Sequence, residues 1–120
     1  MSVVTTMLGL PRGRPFTAAD LAGLPDDGNR YELVRGELLV TPAPRLWHEI
    51  VTQRIEHALT HYVRAAALPF HVVGSRSEVS WGDDDTEVQP DTFVVPIAQA
   101  RTLQWEQLTN LLLVVEVLSP

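Results

Sequence analysis

The feature that most constrains the fold is a long helical periodicity in the middle of the chain. It begins after residues 41–44, where Thr-Pro-Ala-Pro interrupts regular structure. Apolar residues then recur three and four positions apart over residues 46–67, namely Ile50, Val51, Ile55, Ala58, Leu59, Tyr62, Val63 and Ala66. This spacing predicts an amphipathic helix whose apolar stripe faces the interior of the protein.

Shorter runs on both sides of this helix predict strands. Residues 30–34 and 37–41 are separated by Arg35-Gly36, which is the spacing of a β-hairpin. Residues 70–73, 78–81 and 91–95 also predict strands, and the apolar run 111–118 suits a strand buried on both faces. Thr17 can cap a short helix that ends near Leu24. The order of elements predicts an α/β (α+β) domain, a mixed sheet with helices packed on it.

Length and composition limit the function classes. A chain of 120 residues with 45% hydrophobic content can form one domain, which we place at residues 16–120 after an N-terminal arm at residues 1–15. There is no apolar run long enough for a membrane span and no basic flank of a secretory signal, so we expect a cytoplasmic protein. The net charge of −6 argues against a broad basic face for nucleic acid. Any contact with phosphate must be local.

The chain has no cysteine, which leaves Asp, Glu and His as the side chains able to hold a metal. Hard ions that prefer oxygen ligands, Mg²⁺ or Mn²⁺, are therefore the expected cofactors. Two carboxylates stand in unusual places, because Asp91 begins an apolar strand and Glu116 lies inside another. Burying them is costly unless they are paired, hydrogen-bonded or bound to a cation. A strand start at Asp91 and an outward-facing Glu116 on an edge strand explain the pattern equally well.

Four motifs in order resemble those of the Uma2 family, which is similar in fold to the restriction endonucleases of the PD-(D/E)XK superfamily. They are residues 31–38 (YELVRGEL), Pro42-Ala43-Pro44 with His48, Pro90-Asp91, and residues 115–120 (VEVLSP). The resemblance implies a restriction-endonuclease-like sheet flanked by helices. It also implies that Asp91, Glu116 and the backbone carbonyl of Val117 hold Mg²⁺ or Mn²⁺. The substrate that it implies is nucleic acid, first of all DNA, and the assembly is a homodimer.

One departure from the superfamily pattern concerns its lysine, expected two residues after the second acid. Leu118 stands there, and all nine basic residues of the chain are arginines. In Uma2 proteins the lysine lies on a helix after the Ser-Pro pair, so the resemblance predicts that the C-terminal helix of the domain is missing. Metal binding could then persist while catalysis falls.

Two further residues are candidates for the same site. His48 lies on the inward side of the predicted helix, and the resemblance makes it a neighbour of the metal site, although a hydrogen-bonded core histidine is an alternative. Glu32 has two interpretations, a residue that points at the same cleft from the hairpin and a surface carboxylate of an alternating strand.

Two other groups of polar residues have simpler explanations. His57 and His61 stand four residues apart, as in helical zinc sites, but they lie at the rim of the apolar stripe and suit a surface position. Asp83, Asp84 and Asp85 lack the rest of an EF-hand loop and predict a solvated turn.

The sequence thus favours a metal-dependent endonuclease with Asp91, Glu116, Glu32 and His48 at its site. A catalytically inactive binding or assembly module is a second hypothesis, which the missing lysine favours. A metal-dependent hydrolase of small phosphate esters is a third, which the acidic net charge favours. Self-association is expected through the apolar run 111–118.

Overall fold

The computed structural model describes residues 13–74 and 77–118. The chain divides into two compact units, one made of Met1–Ala43 with Gly82–Val88 and the other of Pro44–Trp81 with Gln89–Pro120. Most of the predicted arm at residues 1–15 lies outside the described residues. Helices and small antiparallel sheets make up both units, which confirms the α+β class. None of the helices in the described ranges has the length and apolarity needed to cross a membrane.

The first unit contains a short helix and a hairpin. Helix α1 spans Ala18–Ala22, strand β1 spans Arg30–Val34 and strand β2 spans Glu37–Thr41. The strands pair antiparallel, with Val34 opposite Glu37, as the sequence predicts. Both turn residues have positive φ, 49° at Arg35 and 81° at Gly36, the conformation that tight hairpin turns require. A side chain at Gly36 would also approach Pro15, since its Cβ would lie 2.7 Å from the proline Cβ.

Helix α1 begins at a compact polar network. The backbone N–H of Thr17 donates to Oδ2 of Asp20 at 2.8 Å, and Nη1 of Arg14 lies 3.1 Å from the same oxygen. The hydrogen bond from Arg14, followed by that from Thr17, holds the pKa of the Asp20 carboxyl below its ordinary value. The network satisfies a backbone donor at the start of a helix of only five residues.

The second unit contains the long helix and a three-stranded sheet. Its elements are helix α2 (Leu46–Ala65), strand β3 (Phe70–Val73), strand β4 (Thr92–Pro96), helix α3 (Ile97–Ala100), a 3₁₀ turn (Trp105–Gln107) and strand β5 (Leu113–Val115). The sheet order is β3-β4-β5, and both pairings are antiparallel. Strand β4 is thus central, with Val72 opposite Val94 on one side and Val114 opposite Phe93 on the other.

The core of the second unit is centred on β4. Phe93 and Val95 have no exposed surface, and Val94 is 5% exposed. Val79 and Leu108 are further buried apolar side chains of this unit. Burying side chains of this size contributes about 1.5–3 kcal/mol each relative to leaving them in water.

Three of the predicted strands differ from the structure, the one at residues 91–95 only by a shift of one residue to Thr92–Pro96. Residues 78–81 form no strand, and only a single bridge residue occurs there, at Val79. The predicted double-sided burial of residues 111–118 is wrong, because the strand is limited to Leu113–Val115 and Leu113 and Val114 are each 45% exposed. The physical reason is that β5 has a partner on one side only, at the edge of the sheet as described.

The inward face of α2 also differs from the predicted stripe. His48 and Thr52 are its buried residues, whereas Ile50 is 40% exposed and Tyr62 is 64% exposed. The helix packs on β3 and β4, and the side that meets them carries polar residues among the apolar ones. The length of the helix follows from the sequence, but the orientation of its stripe does not.

Candidate functional site

Asp91 is the most buried carboxylate of the second unit. It directly precedes β4 and is 3% exposed, and Pro90 before it is buried as well. A proline has no N–H to donate to a sheet, so it is tolerated just ahead of a strand and rarely within one. The Pro-Asp pair therefore delivers a carboxylate to the end of the most buried strand.

The Asp91 carboxylate is held by the segment that follows β5. The backbone N–H of Val117 donates to its Oδ2 at 2.7 Å. A hydrogen bond of this length to a carboxylate is among the stronger ones in proteins, and it offsets part of the cost of burying the acid. It also fixes the orientation of the carboxylate relative to β5.

His48, in the first turn of α2, completes the arrangement. Its Nε2 lies 3.1 Å from the backbone carbonyl of Val117 and 3.4 Å from Oδ2 of Asp91. Because a carbonyl oxygen can only accept, Nε2 carries the proton and donates it. Nδ1 of the same ring is buried and has no hydrogen-bond partner within the described ranges. We call these three residues, Asp91, Val117 and His48, the Asp91 clamp.

Glu116 lies at the same end of the sheet as Asp91. In the antiparallel ladder Thr92 pairs with Val115, so Asp91 and Glu116 each stand one residue beyond this last pair. Unlike Asp91, Glu116 is exposed. The structure thus brings the two predicted acids to one end of neighbouring strands.

The atoms at this end that could bind a metal are oxygens of the kind that Mg²⁺ and Mn²⁺ prefer. They belong to two carboxylates and to the Val117 carbonyl. The carbonyl has two lone pairs, so the hydrogen bond from His48 leaves one of them. Among the residues that the structure describes, no group of three or more His, Cys, Asp or Glu side chains is arranged to hold an ion. The oxygen ligands at this end thus match the preference of a hard cation, and the described residues supply no more than two carboxylates for it.

Glu32, the fourth predicted site residue, lies on β1 of the first unit. Its carboxylate is 3.3 Å from Nε of Arg30, and its side chain is 13% exposed. The two residues are two positions apart on one strand and so point to the same face. An ion pair with Arg30 accounts for the position of Glu32 within its unit.

The other polar groups occupy the positions that the sequence favours. His57 and His61 are exposed on α2. The turn at Asp83–Asp85, which belongs to the first unit, is exposed. Its backbone carbonyls accept hydrogen bonds from other segments of that unit, Asp84 from the Ala18 N–H and Asp85 from the Gly36 N–H. These backbone contacts give the turn a structural role.

Sequence reasoning missed a polar row on α2. His48, Thr52 and Glu56 are spaced four residues apart, which places them on one side of the helix. Thr52 is buried and its hydroxyl donates to the carbonyl of His48 at 2.8 Å, while Oε1 of Glu56 accepts a hydrogen bond of 3.0 Å from the hydroxyl of Thr92. The regular spacing of these polar residues was a signal that the apolar stripe obscured.

A comparison with known protein families shows which family the chain matches. The model of the Uma2 family, described as "Putative restriction endonuclease", matches residues 18–120. This range covers most of the chain and includes the Asp91 clamp, Glu116 and Glu32. No curated protein matches the chain.

Proposed function

Because this chain belongs to the Uma2 family, we propose that it is a metal-dependent nuclease that hydrolyses phosphodiester bonds. The observation that carries the proposal is the Asp91 clamp, a buried carboxylate oriented by a backbone N–H and a histidine at the end of a central strand. A carboxylate placed there for stability alone is unusual, because apolar residues would fill the position at lower cost. An oriented carboxylate at the end of a sheet is a suitable ligand for a catalytic ion.

Asp91, Glu116 and the Val117 carbonyl are the residues that would hold Mg²⁺ or Mn²⁺. When bound, such an ion would supply polarisation of a phosphate and a lower pKa for a water molecule. Asp91 contributes a fixed ligand, since Val117 already orients its Oδ2. Glu116 is exposed and would contribute the second carboxylate.

His48 acts in this proposal as a positioning residue. Its Nε2–H donates to the Val117 carbonyl and faces Asp91, so one ring orients two of the proposed ligands. Partners that orient metal ligands commonly change metal affinity or activity by about tenfold to a hundredfold when they are removed.

We expect slow turnover, because the chain contains no lysine. Arginine stays protonated at any working pH, so it can neutralise phosphate charge but cannot take a proton from water. This observation also favours the alternative of an inactive nuclease fold that binds without cleaving. The net charge of −6 favours a third possibility, hydrolysis of small phosphate esters.

The proposal includes DNA as substrate, a homodimer as the assembly and the cytoplasm as the location. Self-association is supported by the exposed apolar residues of β5, since an edge strand of this kind is suited to pairing with another chain.

Single-turnover cleavage of plasmid and oligonucleotide DNA with Mn²⁺ tests the nuclease proposal. Losing one catalytic group typically lowers the rate by about a hundredfold to ten-thousandfold, so we expect slow cleavage by the wild type and none by Asp91→Asn. Asp83→Asn is the matched control, because Asp83 is an exposed acid in a turn.

Cleavage that survives Asp91→Asn would contradict the proposal. Mn²⁺ binding without turnover of any phosphate ester would favour the binding module instead. Turnover of a small diester without cleavage of DNA would favour the third hypothesis.

A further inference from the structure

Glu56 lies two turns after His48 on α2 and contacts the residue next to Asp91. Its Oε1 accepts a hydrogen bond of 3.0 Å from the hydroxyl of Thr92. Thr92 has no exposed surface, so this hydroxyl depends on protein partners. Helix α2 therefore holds the beginning of β4 at two consecutive residues, Asp91 through His48 and Thr92 through Glu56.

The backbone after β3 leaves no space beside the Glu56 carboxylate. A Cβ added to Gly74 would lie 2.7 Å from Oε1 of Glu56 and 3.2 Å from its Cδ. Real Cβ atoms essentially never approach another atom to 2.7 Å, so the end of the Glu56 side chain would have to shift. Glycine at position 74 thus allows the carboxylate to reach Thr92. We call Glu56, Thr92 and Gly74 the Glu56 brace.

The Gly74 carbonyl has a hydrogen-bond partner of its own. The hydroxyl of Ser77, which is 4% exposed, donates to the Gly74 carbonyl at 2.7 Å. The Glu56 carboxylate therefore lies between two restrained backbone segments, the end of β3 and the start of β4. A flexible surface glutamate would have neither restraint.

We propose that Glu56 is a positioning residue for Asp91, acting through Thr92, and this role rests on the proposed function of Asp91 as a metal ligand. The direction of the Asp91 carboxylate depends on the backbone at the start of β4, and the Glu56 brace restrains that backbone from the side of α2. Ligand atoms must be held within about 0.5 Å of the productive geometry. A brace on the adjacent residue supplies such control without touching the ion.

The chain offers variants that separate positioning from general support of the fold. Glu56→Gln keeps an acceptor oxygen for Thr92, whereas Glu56→Ala removes it. Thr92→Val removes the hydroxyl and keeps the branched shape. Gly74→Ala pushes on the end of the Glu56 side chain and leaves Asp91, His48 and Thr92 unchanged. Gln53→Ala, at an exposed position of α2, is the matched control.

Hydrogen exchange of the Val117 amide is the readout, because this N–H donates to Asp91 and reports the carboxylate position without any metal or substrate. We expect exchange about fivefold to tenfold faster in Glu56→Ala, Thr92→Val and Gly74→Ala, the effect of weakening roughly one hydrogen bond. Glu56→Gln and Gln53→Ala should match the wild type. The amide of Val94 in the middle of β4 should exchange at an unchanged rate in every variant.

Unchanged exchange of the Val117 amide in Thr92→Val and Gly74→Ala would overturn the proposal. Equal acceleration at Val117 and Val94 would also overturn it, because it indicates general destabilisation. If Glu56→Ala does not fold, Thr92→Val and Gly74→Ala still decide the question. Mn²⁺-dependent cleavage is measured in parallel. A wild type that does not cleave refutes the proposed function, while Val117 exchange separately decides whether Glu56 positions Asp91.

Discussion

Strands β4 and β5 are alike in sequence and different in the structure. Both are short apolar runs, Thr92–Pro96 and Leu113–Val115, and each adjoins a candidate acid at the same end of the ladder. Yet Phe93 and Val95 in β4 have no exposed surface, while Leu113 and Val114 in β5 are each 45% exposed. The difference comes from neighbours, because β4 has a strand on each side and β5 has one.

The same contrast extends to the acids. Asp91 adjoins the central strand and is buried, with its Oδ2 oriented by Val117, whereas Glu116 adjoins the edge strand and is exposed. Sheet position thus gives the two candidate ligands different surroundings, one carboxylate being buried and the other exposed.

The largest expected effect is on stability. Phe93→Ala removes a fully buried aromatic ring from β4 and should lower the free energy of unfolding by about 3–5 kcal/mol. Val114→Ala on β5 removes a half-exposed side chain and should cost about 1 kcal/mol or less. Urea unfolding of both variants measures the difference. Equal losses would mean that β5 is as buried as β4 in solution.

Features set by local chemistry could be predicted from the sequence. The hairpin was predicted to the residue, because its turn is determined by Arg35-Gly36 and the flanking alternation. Helix α2 was predicted with its first residue correct and its end two residues too late, because apolar periodicity identifies a helix but not its last turn.

Features set by distant partners could not be predicted. An apolar run does not indicate whether one strand or two will lie beside it, so residues 111–118 suggested a longer and more buried strand than β5. The polar row of Thr52 and Glu56 was missed because the partner of Glu56, the hydroxyl of Thr92, lies 36 residues further along the chain. Asp91 and Glu116 were predicted as site residues from their places in apolar runs and from the resemblance, while the role of the Val117 N–H as a donor to Asp91 needed the structure.

A second prediction concerns the link between the two strand ends. His48→Ala removes the ring that joins the Val117 carbonyl to Asp91, and the unpaired buried groups should cost about 1–3 kcal/mol of stability. His57→Ala is the matched control on the same helix, since an exposed side chain should change stability by about 0.5 kcal/mol or less. Thermal and urea unfolding of both variants give the values. Similar losses in the two would show that His48 does not hold the strand ends together.

The smallest expected effect is the contribution of Asp20, in α1, to stability at low pH. It must be known before the acid unfolding of β4 and β5 is compared, because Asp20 lies outside their sheet and also titrates in acid. Hydrogen bonds from Arg14 and Thr17 lower the pKa of Asp20 below its ordinary value of 3.8. A lowered pKa in the folded state means that the contribution to stability is present above pH 3.8 and is lost as the pH falls through the lowered value.

An NMR titration of the Asp20 carboxyl should therefore have its midpoint below 3.8. Arg14→Gln should return the midpoint towards the ordinary value, because the Arg14 hydrogen bond is the largest cause of the shift. A midpoint that is the same in Arg14→Gln and the wild type would refute this assignment.

The most direct test of the account is to locate Mn²⁺ by the broadening that it causes in amide signals. In the wild type the amides of Thr92 and Val117 should broaden at the lowest Mn²⁺ concentration, because they adjoin Asp91 and Glu116 at one end of β4 and β5. Asp91→Asn should abolish this broadening, and Glu116→Gln should shift it to higher concentration. Broadening that leaves Thr92 and Val117 unaffected and is confined to Asp83–Asp85, or broadening that persists unchanged in Asp91→Asn, would contradict the metal site.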